Sequence, residues 1–429
     1  MSKNSTPQPD TNKAPILRLG SITQNQILFF IIWPFGQMIN AVRHFRQPWS
    51  MAVLWLFCVY FGLVFVYGDP YGYGGGDSTS YALQLIEFHE NQHSFDQLWA
   101  SIYSVNTNRA DLYQPLLTWL IALFTGNPAF LFAAFAAVFG FFYVKNLWMI
   151  FTRISASVGV ILFLFMLSYA LVNPLWNING VRMWTAAQVF LYGNLLYFLY
   201  DNKRGLWWSA VSILFHFSFV FPVALLFAWL FIPRNAGLLF GFYIATSFIK
   251  EIDLFEVRSM LSFLPDFLQP RVVGYTSEVY AEGLATRTFA FHEALAINAG
   301  RWVTYAWIIF AFIKRQEWMN SHKTYGHIFM FALFLGGFAN IASNVPSGGR
   351  FVVLSNSLFY ALFVLLLGKN YLRLYWLKLI TVPLLALSIV FKIRMSFDYI
   401  GFLTVAGNPL LAPFFGEQTP LIDFVKDIF

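Results

Sequence analysis

Two arginines, a histidine and an aspartate are the residues of this sequence whose types and spacing could do chemistry. Arg182 follows Asn173-Pro-Leu-Trp-Asn177-Ile-Asn179-Gly180-Val and leads into an apolar stretch. Arg350 follows Asn344-Val-Pro-Ser347-Gly-Gly and leads into another. A cation in the first turn of a helix opposes the macrodipole unless an anion lies beside it. Two arginines in that setting point to a phosphate site, because guanidinium forks engage phosphate oxygens two at a time and a diphosphate has room for both. The alternative is an arginine that snorkels to lipid headgroups or pairs with an acid such as Glu278, Glu282 or Glu293.

The run Tyr73-Gly-Gly-Gly-Asp77-Ser-Thr-Ser-Tyr81 puts an acid after a glycine turn and a tyrosine four residues on, both on one helix face. Asp77 either caps that helix or orients a sugar hydroxyl and takes its proton. His216, in Leu214-Phe-His-Phe-Ser218, lies about ten residues, or roughly 15 Å, into an apolar run. In a straight helix it is a core histidine bonded to Ser218 or a tyrosine. In a re-entrant segment it faces a cavity.

Tyr81 and Asn179 are candidate substrate contacts beside these residues. Arg287, His292, Glu293 and Arg301 form a second group around the helix that starts near Ile297, as substrate-binding candidates or as a solvated interfacial face. The seven histidines show no HExxH or other metal spacing, and neither a GxSxG elbow nor a P-loop is present, so no metal or cofactor is expected. Cys58 is the single cysteine, which excludes disulfides and cysteine metal sites.

The elements that must position these groups are apolar helices. The chain is 58% hydrophobic and 20% aromatic with 11% charged residues, a balance that predicts a polytopic, all-α membrane protein. Residues 1–25 are polar and read as a disordered tail, not as a cleavable signal. Residues 26–395 form the transmembrane bundle, with polar loops at 68–114 and 251–296, and 396–429 form a C-terminal segment on the outer face. About eleven crossings are expected at roughly 20 residues each. The net charge of +7 is spread over short loops, which suits topology and anionic lipid contact and not nucleic-acid binding.

Basic residues fix the orientation. Arg43/Arg46, Lys145/Arg153, Lys203/Arg204, Arg234, Lys314/Arg315/Lys323 and Lys369/Arg373/Lys378 are expected on the cytoplasmic side, and every polar segment named above on the other. Arg204 and Arg234 cannot both be inside if one helix spans between them, and a spanning helix at 115–124 would invert Lys145. Re-entrant or half helices at both places would remove the conflict. Short helices lying at the interface are expected in the two long loops.

Taken in order, these pieces resemble the EpsG family of bacterial exopolysaccharide and O-antigen (Wzy-type) polymerases. The resemblance covers roughly residues 50–395 and rests on Gly76-Asp77-Ser-Thr-Ser-Tyr81, Tyr113-Gln-Pro115, Arg182-Met-Trp-Thr-Ala186, His216-Phe-Ser218 and Arg350-Phe351. Met183 stands where the family has Gln, and Gln114 where it has an acid. It implies a GT-C-like bundle in the bacterial inner membrane that joins polyprenyl-pyrophosphate-linked repeat units for O-antigen, capsule or exopolysaccharide on the periplasmic face. A chain-length regulator and a flippase would be its partners. Arg182 and Arg350 would stabilise the leaving diphosphate, and Asp77 or His216 would take the acceptor proton. The rival readings are a flippase for the same lipid-linked glycan and a membrane acyltransferase with His216 as base.

Overall fold

The computed structural model describes residues 20–68, 76–103, 111–250, 254–260, 290–371, 375–415 and 419–428, together with Ser262, Gln269, Val272 and Val273. Arg287 and most of the 251–296 loop lie outside the described residues, as do residues 1–19 of the tail. Every regular element among those described is a helix; the one extended pairing is an antiparallel bridge between Phe65 and Ile400.

The apolar run at 26–42 is broken. Pro34 cannot donate to a continuing helix, and Trp33 leaves helical backbone (φ −149°, ψ 86°), so α1 (Gln24–Ile32) and α2 (Pro34–Arg43) form a hairpin. The next helix, α3 (Pro48–Leu63), packs on both arms: Gly20 abuts Pro48, Phe30 meets Tyr60, and Phe35 meets Phe57. The hairpin therefore starts and finishes at the same end of the bundle.

Three short helices make a layer at the other end: α4 (Asp77–Glu90), α5 (Phe95–Tyr103) and α6 (Tyr113–Ala122). At its start, α6 is preceded by Leu112, whose N–H donates to Leu214 O (3.2 Å). At its far end Ala122 O lies 2.6 Å from His89 Nδ1. Its ten residues span about 15 Å, so it is a half helix and does not cross, which preserves the orientation of the later helices. A sharp start for α7 (Pro128–Phe151) comes from Pro128 at its first position and from Asn127, whose side chain accepts from Ala129 N–H (2.9 Å).

The chain returns through α8 (Val160–Ala170), turns in a 3₁₀ segment (Leu175–Gly180), and goes back as α9 (Val181–Tyr200). Asp201, in left-handed backbone (φ 48°), ends α9 and sends the chain into α10 (Arg204–Phe215). These two helices touch through Gly193 and Gly205, where a Cβ on either would collide with the other's carbonyl. Small residues at such crossings are what membrane helices need, since lipid offers no hydrophobic drive and association rests on close packing.

His216 is extended (φ −151°, ψ 119°) and breaks the long run at 206–231. After it α11 (Val220–Trp229) reverses. Pro222 is tolerated as its third residue, where the N–H would be unpaired anyway. Trp229 packs on Phe331, as does Phe198 from the far end of α9, and Arg234 Nη1 lies 3.4 Å from His327 Nε2. Arg204 and Arg234 thus share one end of the bundle, as a re-entrant hairpin requires.

The remaining helices are α12 (Ala236–Thr246), α13 (Leu254–Met260), α14 (Phe291–Ile313), α15 (Arg315–Met319), α16 (Lys323–Ala342), α17 (Val352–Gly368), α18 (Tyr375–Ser396), α19 (Phe402–Ala406) and α20 (Leu421–Ile428). A large core joins α8, α9, α14, α16 and α17, and a smaller one joins α1–α4 with the first half of α7. Six stretches among the described residues are long and apolar enough to cross a membrane, and one of these, Val160–Tyr200, is broken between α8 and α9. The other expected crossings are shorter or broken helices. The chain is an all-helical membrane protein.

Cations gather at the end away from α4–α6. Arg46 Nη2 donates to Ala156 O (3.3 Å), Arg153 Nη2 to Leu199 O (3.3 Å), Ser155 N–H to Gly368 O (3.3 Å), and Tyr371 OH lies 2.8 Å from His322 Nε2. These contacts put Arg46, Arg153, Arg204, Arg234, Lys323 and Lys369 together. Lys145 departs from the expectation: it lies inside α7 and is only 1% exposed, so it is a core residue and not part of a basic loop.

Candidate functional site

The opposite end holds a polar cavity of about 440 Å³, and its walls include Asp77, Tyr81, Asn179, Arg182, His216 and Arg350. These come from four separate helix starts: α4 supplies Asp77 and Tyr81, α9 Arg182, the His216 break precedes α11, and the loop before α17 supplies Ser347 and Arg350. Helix N-termini around one space, with Arg182 and Arg350 among them, suit it to an anion.

The turn before α9 is fixed by amides. Asn177 Nδ2 donates to Asn173 Oδ1 (2.9 Å), Asn173 Nδ2 to Trp184 O (3.0 Å), and Gln188 Nε2 to Asn173 O (3.2 Å). Asn179 Oδ1 accepts from Ser78 N–H (3.3 Å), and its Nδ2 donates to Tyr399 OH (3.0 Å). Asn179 therefore serves the cavity by tying the first turn of α4 to the C-terminal segment. Tyr399 in turn stacks on Phe65 with rings 4° from parallel.

Asp77 is the first helical residue of α4; the capping position belongs to Gly76, and no side-chain cap bond is made there. Capping is thus not what Asp77 does. Its exposed carboxylate lies in the cavity, with Oδ2 3.7 Å from where a Cβ on Gly180 would be. Tyr81, one turn further on, is 5% exposed. Burial pushes its phenol up to about 12, so it stays protonated at physiological pH.

Arg182 has the anion that its position demanded. Nη1 donates to Asp111 Oδ2 (3.1 Å) and Nε to Tyr81 OH (3.2 Å). Asp111 is 1% exposed, and its other oxygen accepts from Phe217 N–H (2.8 Å). One buried carboxylate thus fixes both the arginine and the backbone next to His216. The partner is not one of the loop glutamates expected for a paired arginine. Arg182 keeps 27% side-chain exposure, and among the described residues no partner is assigned to its Nη2.

Arg350 contrasts with it. The residue is exposed, and among the described residues its guanidinium has no hydrogen bond or ion pair. The loop is positioned by Gly348, where a Cβ would collide with Ala342 O, and by Ser347 in left-handed backbone (φ 65°), a conformation costly for a residue with a side chain.

His216 is 7% exposed. Its Nδ1 accepts from Ser218 N–H (3.2 Å) and lies 2.7 Å from Ser218 Oγ. A backbone amide can only donate, so Nδ1 is the acceptor and a neutral ring carries its proton on Nε2.

Trp176, Trp184 and Tyr399 complete the lining with aromatic surface suited to a sugar face. The second group is not brought here. His292 and Arg301 are exposed on α14, Glu293 Oε2 accepts from Ala290 N–H (3.2 Å) at that helix's start, and none lines the cavity. A helix start consumed the acid, and packing of α14 on α18 holds the group apart from α4 and α9. No cluster of His, Cys, Asp and Glu suited to a metal occurs among the described residues.

Residues and geometry together define a class: a helical membrane protein with an anion-suited, aromatic-lined polar cavity at the end opposite Arg46, Arg153, Arg204, Arg234, Lys323 and Lys369. No protein-family model, curated protein or solved structure matches the chain.

Proposed function

We propose that this chain is a membrane glycosyltransferase of the Wzy type, polymerising polyprenyl-pyrophosphate-linked oligosaccharide repeat units. The observation that carries the reading is the meeting of Arg182 and Arg350, from distant parts of the chain, in one cavity with Asp77 and His216. The cation-rich end faces the cytoplasm by the positive-inside rule, so the cavity opens to the periplasmic side of a bacterial inner membrane. A GT-C-like arrangement of about eleven passes, counting broken helices, belongs to the same proposal.

In the reaction, the acceptor hydroxyl oxygen bonds to the donor's anomeric carbon as the bond from that carbon to the diphosphate oxygen breaks. The electron pair leaves on the diphosphate, and the hydroxyl proton passes to Asp77 and then to solvent. Arg350 and the free side of Arg182 hold the growing diphosphate charge. The His216 tautomer makes it a donor to that charge or to a sugar oxygen, which leaves Asp77 as the base. Trp176 and Trp184 supply stacking surface for sugar rings.

The positions of the charges favour this reading over a flippase, which would need polar groups along a full transbilayer path. The test is mass analysis of products after purified protein is given synthetic lipid-linked repeat units. Products lengthened by whole repeats are expected. Unchanged substrate, or acylated substrate, would refute the proposal.

A further inference from the structure

An apolar groove of about 470 Å³ runs down the side of the bundle between α2, α3, α7 and α8, with the end of α18 on its border. Trp176 lines both this groove and the polar cavity, so the two spaces meet at one indole. From there the groove reaches Phe45 and Phe151, which touch each other beside the cationic end (ring centroids 6.0 Å apart). Along α7 alone its lining from Tyr143 to Phe151 covers about 12 Å. The side is not walled off: Val42, Phe163 and Ile393 are lining residues with exposed side chains.

The groove offers a ligand very little hydrogen bonding. Tyr143 OH donates to Ala170 O (3.1 Å) and Ser396 Oγ to Ile393 O (2.5 Å), so these two lining hydroxyls are spent on the protein, while Thr404 Oγ1 has no hydrogen-bond partner among the described residues. An occupant must therefore be apolar along nearly its whole length. Its polar end must emerge at Trp176, beside Arg182 and the start of α9. The cavity it meets is lined by Arg182 and Arg350, which suits a lipid with an anionic headgroup.

We infer that this groove seats the isoprenoid chain of the lipid whose diphosphate enters the cavity, with Trp176 at the point where chain becomes headgroup. The inference rests on the proposed function for the identity of the headgroup, but it assigns the chain's path from the groove itself. It makes Met166, Phe57 and Leu147, none of which touches the reacting atoms, determinants of lipid affinity.

The experiment uses the full chain in nanodiscs and a polyprenyl diphosphate bearing a photoreactive group midway along its chain. Labelling is expected on α3 and α8, at Phe57, Met166 and neighbours, and unlabelled polyprenyl diphosphate should compete it away. Filling the groove with Ala170→Phe or Leu167→Trp should weaken polyprenyl diphosphate binding at least about tenfold, the equivalent of roughly two buried methylenes. Binding of inorganic diphosphate should be unchanged in both variants. Labels on other faces, unaltered binding in both variants, or equal competition by phosphatidylglycerol would overturn the inference. Labelling needs no turnover, so the two proposals fail separately. Labels in the groove without polymer refute the polymerase alone, and polymer with labels elsewhere refutes the groove alone.

Discussion

Arg182 Nη1 and Asp111 Oδ2 lie 3.1 Å apart, with Asp111 only 1% exposed, and the same carboxylate accepts from Phe217 N–H. The pair therefore joins the start of α9 to the His216 break. Replacing Asp111 with Ala leaves a cation without its counter-ion and a backbone donor without its acceptor. Removing one member of a buried pair costs about 3–5 kcal/mol, and the partial exposure of Arg182 puts this site at about 3 kcal/mol. Thermal unfolding in detergent should show the loss, with Asp111→Asn intermediate because it still accepts from Phe217.

The two arginines should respond differently to lysine. At Arg350 the change keeps the charge and removes the fork, so polymer formation falls while thermal stability is unchanged, since the guanidinium makes no described contact to lose. At Arg182 it also removes bonds to Tyr81 and Asp111, so stability falls with activity. Parallel melting curves and product assays on both variants distinguish these outcomes. An Arg350→Lys protein with full activity would remove the diphosphate role.

Asp77→Asn should fold normally, because the cap of α4 is Gly76 and the carboxylate makes no cap bond. As the proton acceptor, Asp77 should be worth about 10²–10⁴-fold in turnover. Full turnover in the Asn variant would exclude it as the base.

His216→Asn tests the ring's two nitrogens separately. The shorter amide can still accept from Ser218 N–H in place of Nδ1, but it has nothing at the position of Nε2. We expect normal stability with turnover reduced about 10²–10³-fold, the usual cost of losing one donor to developing charge. His216→Phe removes the acceptor too and should lose stability as well. If the Asn variant retains full turnover, the ring matters only to the backbone turn.

Of the residues read from local pattern, the cavity gathers Asp77, Tyr81, Asn179, Arg182, His216 and Arg350. An acid four residues before a tyrosine fixed a common face for Asp77 and Tyr81, and polar turns leading to arginine marked Arg182 and Arg350 as helix starts. Asp111 carried no such signal. It stands alone in a loop, and its partner is 71 residues away. Tyr399 was hidden in the same way, reaching Asn179 across 220 residues. His292, Glu293 and Arg301 had suitable chemistry, but membership of a cavity is decided by which helices pack together, and α14 packs elsewhere. Pro34, which divides α1 from α2, is a break that hydropathy alone passes over, since the run stays apolar on both sides of it. The break at His216 was harder to see, because it falls six residues before Pro222 and is held by Asp111 accepting from Phe217.

The contact of Gly193 with Gly205 lies far from the cavity, yet it governs how the cavity can behave. Close packing there sets the spacing of α9 and α10, and with it that of Arg182 at the cavity end of α9 and His216 at the cavity end of α10. Arg350 stands on the opposite wall of the cavity, in the loop before α17. An alanine at Gly205 would push the two helices apart, altering the register of Arg182 against His216 from about three turns away along the helices.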